Sequence, residues 1–203
     1  MDKSVLVALP AYNEEVNIKS VIEGVSSFGD VYVFNNNSTD QTKKITLASN
    51  ANVIDVKEIG YENVLYAISD FFLNSHYTKL IILDGDGEVG MDSISLGISY
   101  LDNYNIVLGN RNYKKRWGER LICYLFNYFY GIKDIFCGFK CFKKEGLNTN
   151  KILGTFGTGL ANKKQACKNI DVVVSNRVED SKLGEGLAIN IKLIFSGIKG
   201  LFS

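Results

Sequence analysis

Apolar residues along this chain fall into two alternating patterns. Short unbroken runs, Val5 to Leu9, Val31 to Phe34 and Leu80 to Leu83, are bounded by polar or turn-forming residues. Runs this short, with no helical spacing, read as strands buried on both faces. Between them Ile18, Val21, Ile22 and Val25, then Val64, Leu65, Ile68 and Phe71 or Phe72, then Ile94, Ile98 and Leu101, recur at helical intervals, one face of each packing on a sheet. In order, the pattern predicts a strand over Ser4 to Leu9 and a helix after Asn13, with Asn13 as its cap and Glu14 and Glu15 in its first turn. A strand over Asp30 to Phe34, a short helix over Gln41 to Ala48 and a strand over Asn52 to Val56 follow. Next come a helix over Glu62 to Phe72, a strand over Lys79 to Leu83, a helix over Met91 to Leu101 and a strand over Ile106 to Leu108. The alternation predicts one α/β domain, a mostly parallel sheet flanked by helices in the Rossmann-like manner.

The pattern changes after Arg111. Lys114, Lys115, Arg116 and Arg120 surround Trp117, and Leu121 to Tyr130 is a helix apolar almost all round. Such a helix is either core or rests in a lipid interface; it is too short to span a bilayer. Asp134 to Phe142 reads as a loop entering a short strand, Leu160 to Lys168 as a helix and Val172 to Val174 as a strand. Residues 186–203, with Ile189, Leu193, Ile194, Ile198 and Leu201 beside Lys192 and Lys199, form an amphipathic helix that either caps the domain of residues 1–185 or lies on a membrane.

Composition narrows the chemistry. The chain has 203 residues and a formal net charge of +1, so no global field favours nucleic acid and any anion site is local. The N-terminal apolar run is too short for a secretory signal, which implies a cytosolic protein. Cys123, Cys137, Cys141 and Cys167 contain no CxxC pair and read as reduced, mostly buried thiols. The single histidine, His76, lies in a polar connection, which leaves carboxylates, a metal and basic side chains to carry any reaction.

The strand Lys79 to Leu83 runs straight into Asp84-Gly85-Asp86-Gly87-Glu88. Alternate carboxylates repel unless a cation sits among them, and hard oxygen donors select Mg²⁺ or Mn²⁺; the bland alternative is a solvated acidic turn. Polar stretches follow other strands too: Ala11-Tyr12-Asn13-Glu14-Glu15, Asn35 to Asp40, and Gly109-Asn110-Arg111. In open α/β sheets such carboxyl ends share one ligand crevice.

Taken in series, these stretches resemble the family 2 glycosyltransferases of GT-A fold, and most of all the dolichol-phosphate mannose synthase group. Leu9-Pro10-Ala11-Tyr12-Asn13-Glu14-Glu15 is similar to the family's opening motif, and Asn35 to Asp40 with Thr42 stands where it has Asp-Asp-Gly-Ser-Thr-Asp-x-Thr. Asp84 to Glu88 stands for Asp-Ala-Asp-Gly-Gln, Gly109-Asn110-Arg111 for Gly-Ser-Arg, Asp134 with Cys137-Gly138-Phe139 for Asp-x-x-Cys-Gly-Phe, and Arg177 with Ser181-Lys182 for its Arg…Ser-Lys ending. The resemblance implies inverting, metal-dependent transfer of a sugar from a UDP- or GDP-linked donor to a polyprenyl phosphate at the cytosolic face of a membrane. The alternatives are transfer to a glycan or lipid-linked sugar hydroxyl, a nucleotidyltransferase, or a relative without catalysis.

The same resemblance implies roles. Pro10, Ala11, Tyr12, Asn13, Glu14, Asn36, Asp84 and Gly85 would bind the nucleotide sugar. Asp84, Asp86 and Glu88 would hold Mg²⁺ or Mn²⁺. Arg111, Arg120, Arg177 and Lys182 would meet phosphates, and Asp86, Arg111 and Asp134 would serve catalysis. A hydroxyl acceptor would need Asp134 as a base, whereas a phosphate acceptor, already an anion, leaves Asp134 to orient Arg or Lys side chains.

Overall fold

The computed structural model describes residues 4–85, 89–147, 157–172 and 186–202. Among them, seven strands form one sheet in the order β3-β2-β1-β4-β6-β5-β7. The strands are β1 (Val5–Ala11), β2 (Asp30–Asn35), β3 (Asn52–Asp55), β4 (Lys79–Ile82), β5 (Ile106–Arg111), β6 (Lys140–Lys143) and β7 (Cys167–Val172). The helices are α1 (Ile18–Val25), α2 (Thr42–Ala48), α3 (Tyr61–Asn74), α4 (Met91–Tyr100), α5 (Trp117–Tyr130) and α6 (Leu187–Phe202). All pairings are parallel except those of β6, which runs antiparallel between β4 and β5, Lys140 facing Ile82 on one side and Leu108 on the other.

Strand side chains alternate between two cores, as the two-residue period requires. Leu6, Ala8, Leu80, Ile82, Leu108 and Phe142 pack with α3, α5 and α6 through Leu65, Ile68, Phe126 and Leu201. Val5, Val7, Leu9, Ile81, Val107 and Cys141 pack with α1 and α4 through Ile18, Ile22, Val25 and Ile94. The result is an α/β/α sandwich with β1 buried along its whole length. All four cysteines are free; three are buried and Cys167 is partly so.

Four local expectations fail. Asn13 caps no helix: it takes the left-handed conformation (φ 54°), and α1 begins only at Ile18, after a turn closed on the Glu14 carbonyl. Residues 160–166 are not helical. Leu160 and Ala161 turn into the core, and Asn162 bends the chain by accepting the Lys164 N–H, an Asx-type turn that competes with helix. The strand after them is Cys167–Val172, earlier than expected, because it completes the sheet against β5 with Ile170 and Val172 inward. The basic cluster is also partly helical, since α5 starts at Trp117 rather than Leu121.

The C-terminal helix α6 is fastened along α5. The Gly118 N–H donates to Asn190 Oδ1 (2.7 Å), the Tyr130 hydroxyl to the Leu201 carbonyl (2.8 Å), and the Thr158 hydroxyl to the Ser196 carbonyl (2.7 Å). A Cβ at position 118 would stand 2.9 Å from the Asn190 carbonyl, so glycine is what lets the two helices close up. Asn190→Ala leaves the buried Gly118 N–H without its acceptor and is expected to cost about 1–3 kcal/mol in urea unfolding, with faster amide exchange at Gly118 as the local readout.

Candidate active site

Parallel strands put their carboxyl ends on one edge, so β1, β2, β4 and β5 deliver Ala11, Asn35, Asp84 and Arg111 to the same side of the sheet. Antiparallel β6 begins at that edge, and the loop that precedes it brings Asp134 to Phe139 between the acidic end of β4 and the basic end of β5.

At the ends of β1 and β2, two stretches brace each other. The Asn13 N–H donates to Ser38 Oγ and its Oδ1 accepts the Thr39 N–H; the Glu14 N–H donates to Thr42 Oγ1, the Glu15 N–H to Asp40 Oδ2, and the Gln41 N–H to Glu15 Oε2. Asn37 shares the left-handed conformation of Asn13 (φ 57°), one that asparagine tolerates better than most residues. Asn35 and Asn36 are buried and their amides are engaged. Asn35 donates to Asp55 Oδ1, while Asn36 donates to the Val56 and Glu58 carbonyls and accepts the Gly60 N–H. Pro10 and Ala11 lie in β1, the Gly85 N–H donates to the Pro10 carbonyl (3.3 Å), and Tyr12 stands half exposed above this frame.

At the end of β4, Asp84 Oδ1 accepts the Tyr61 hydroxyl at 2.9 Å, and its carboxylate lies against Gly138. Asp86 and Glu88 lie outside the described residues, as do Arg177 and Lys182. Among the described residues no three metal-ligating side chains gather. The described donor at this strand end is the Asp84 carboxylate, a hard oxygen ligand of the kind that suits Mg²⁺ or Mn²⁺.

At the end of β5, Arg111 and Asp134 form a two-pronged pair: Nε to Oδ2 at 2.8 Å and one terminal nitrogen to Oδ1 at 3.1 Å. Asp134 is 0 % exposed and also accepts the Arg111 and Phe136 N–H groups. Burial alone would raise its pKa; hydrogen bonds and charge from Arg111, with help from Lys114, outweigh burial and hold the carboxyl below the usual range. Glu119, buried on α5, accepts from Arg116 at 3.1 Å, and its Oε2 has no hydrogen bond among the described residues, standing 3.9 Å from Arg111. Among the described residues, Arg111, Lys114 and Arg116 thus face Asp134 and Glu119. Lys140, wholly buried, donates to the Cys137 carbonyl; burial pulls its pKa down, while Cys137, Asp84 and Asp134 pull it up, and burial prevails. Arg120 is exposed on α5, away from this pairing.

Sequence reasoning missed Tyr61, Glu119 and Lys140. Tyr61 shows only as the first residue of a helix, and its partner lies 23 positions on. Glu119 was hidden by the late expected start of α5.

No family model matches the chain, and neither does any curated protein. Solved structures of glucosyl-3-phosphoglycerate synthase from Mycobacterium tuberculosis do match. The complex with phosphoglyceric acid superposes with a TM-score of 0.74 at 18% identity, covering 98% of this chain and 80% of that one. The complex with Mn²⁺, UDP-glucose and phosphoglyceric acid gives 0.72 at 17% identity with the same coverages, and that with Mn²⁺, UDP and glucosyl-3-phosphoglycerate gives 0.71 at 17%, covering 96% and 78%. At this identity the likeness establishes the GT-A-like fold.

Asp134→Asn strips the counter-charge from a mostly buried guanidinium and is expected to lower stability at pH 7 by about 3 kcal/mol. Asp134 has a folded pKa below its ordinary value of 3.8, so its contribution is complete above that value and disappears as pH falls through the folded one. In urea unfolding the gap between variant and wild type should therefore narrow in acid.

Proposed function

We propose that this chain is a glycosyltransferase that takes a hexose from a nucleoside-diphosphate sugar, a UDP-sugar first of all, with Mg²⁺ or Mn²⁺ and with inversion. The observation that carries the reading is the convergence at one sheet edge of the braced loops 11–15 and 35–42, the Asp84 carboxylate and the Arg111 cluster. The fold shared with structures solved with Mn²⁺ and UDP-glucose supports it. Asp84, Asp86 and Glu88 are the residues to hold the cation, which when bound stabilises the leaving diphosphate as a Lewis acid.

The chain's own residues divide the remaining work. Tyr12, Asn13 and Glu14 border the nucleotide, and Asn36 shapes its pocket from within, its amide being spent on residues 56 to 60. Arg111 meets phosphate through the terminal nitrogen that it does not spend on Asp134, Arg177 and Lys182 add charge, and Arg120 serves the acceptor side. Asp134, saturated by donors, is a positioning residue for Arg111 rather than a base.

The basic side chains at the end of β5, Arg111 and Lys114, fit an anionic acceptor. One form is a small phosphorylated hydroxy acid of the kind in the matching complexes. A second is a polyprenyl phosphate, favoured by one observation: α5 exposes Trp117, Leu121, Tyr124, Tyr128 and Phe129, and α6 exposes Leu187, Ile191, Phe195, Ile198 and Phe202. The exposed charges on these two helices, Arg120, Lys192 and Lys199, are all positive, which suits an anionic bilayer surface. No helix among the described residues is long and apolar enough to cross a membrane.

UDP- and GDP-sugars should be screened for a rise in Tm with and without Mn²⁺. A Mn²⁺-dependent rise with one donor is expected, by mass action on the native state; a flat response to all donors overturns the reading. Asp86→Ala should abolish transfer with Tm within a few degrees of wild type, and measurable turnover at saturating Mn²⁺ would remove Asp86 from the site. Transfer to 3-phosphoglycerate against transfer to a polyprenyl phosphate in phosphatidylglycerol vesicles, with Phe195→Glu lowering only the latter, separates the acceptors.

A further inference from the structure

Asp84 is oriented by two residues to which nothing above gives a role in the reaction. Its Oδ1 is taken by the Tyr61 hydroxyl at 2.9 Å. Its Oδ2 and Cγ lie over the Gly138 α-carbon: a Cβ there would stand 2.5 Å from Cγ and overlap Oδ2. With one oxygen tied and the other seated in a gap that only glycine leaves, the carboxylate plane is set from both sides.

Tyr61 is itself held from the nucleotide loop. It opens α3 directly after Gly60, whose φ of 130° belongs to glycine, and the Gly60 N–H donates to Asn36 Oδ1 at 2.9 Å. The two amide hydrogens of Asn36 go to the Val56 and Glu58 carbonyls at 3.2 and 2.8 Å, so its side chain cannot turn without breaking three bonds. Asn36 follows the end of β2, two strands from β4 in the sheet order. A strap of Asn36, Gly60 and Tyr61 thus passes from the nucleotide loop to the acidic strand end.

We propose that Tyr61 and Gly138 are positioning residues for Asp84, and that the strap through Asn36 and Gly60 holds the nucleotide loop and the acidic end of β4 as one unit toward a metal-bound nucleoside diphosphate. The proposal rests on the donor reading given above. It goes further in separating residues that touch the diphosphate and its cation from residues that aim Asp84 at them. Outer partners of metal-binding carboxylates commonly contribute about 10–100-fold in metal affinity.

The test compares wild type, Tyr61→Phe and Gly138→Ala. Mn²⁺ is titrated at fixed UDP, followed by the free-Mn²⁺ electron paramagnetic resonance signal and by Tm, and UDP is titrated without metal in parallel. Tyr61→Phe should weaken Mn²⁺ binding about 10-fold while leaving metal-free UDP affinity unchanged. Gly138→Ala should weaken it further, because Asp84 must swing away from the new methyl group. Equal Mn²⁺ affinity in Tyr61→Phe and wild type overturns the proposal, as does a loss matched by metal-free UDP binding, which would mark a merely structural effect. A urea-unfolding cycle of Tyr61→Phe with Asp84→Ala, which removes the acceptor, reads the tie without any ligand: the two effects should be non-additive, and strict additivity overturns the tie itself. A wild-type protein that binds neither Mn²⁺ nor UDP defeats the donor reading, and with it the role toward a metal; non-additivity in that cycle would then leave only the Tyr61–Asp84 tie standing.

Discussion

A carboxylate with no access to water stays ionised only if the protein surrounds it with donors. Asp134 meets that demand with both prongs of Arg111, two backbone N–H groups and the charge of Lys114. The positions of the other site residues depend on this arrangement. It pins the loop ahead of β6 to the end of β5, and β6 then enters the sheet between β4 and β5 in the register that sets Lys140 opposite Ile82 and Leu108. That register in turn carries Gly138 to the place where Asp84 leans. One buried ion pair therefore aligns the basic and acidic ends of the crevice with each other.

The two ends have opposite sign, which is a requirement of the chemistry proposed. In sequence, carboxylates follow β4 at positions 84, 86 and 88, and guanidinium and ammonium groups cluster at the end of β5. Brought close without separation they would neutralise one another. The segment from Asp134 to Phe139 lies between them, and its Asp134 absorbs part of the positive charge while Lys140 lies beneath, within electrostatic reach of both Asp84 and Asp134.

Local pattern was enough to read much of this. The unbroken apolar runs gave β1, β2 and β4, and the helical spacing gave the inward faces of α1, α3 and α4, because each signal lies within about a dozen residues. That Asp84 and Arg111 share one edge of the sheet was legible because Asp84 follows β4 and Arg111 ends β5, two strands of the same direction. What escaped the pattern depends on partners far along the chain. β7 shows two buried apolar residues among polar ones, Ile170 and Val172, and becomes a strand only because β5 offers its edge. Asn13 looks like a cap, but tertiary contacts to Ser38 and Thr39 hold it in another conformation. The hydroxyl of Tyr61 finds its acceptor on another strand, so no window around Gly60 could reveal it.

The strand order also bears on how the chain is assembled during synthesis. β1 to β4 can pair among themselves as they emerge, since each of them has an earlier neighbour or soon acquires one. β5 has no such neighbour. Its partners are β6 and β7, both downstream, and 28 residues separate Arg111 from Lys140. On the ribosome, at about 5–20 residues per second, the nascent β5 therefore waits seconds with both edges open. Throughout that interval the growing polypeptide exposes a segment capable of cross-pairing with a neighbouring copy, the point in its biogenesis at which a holding chaperone would have most effect.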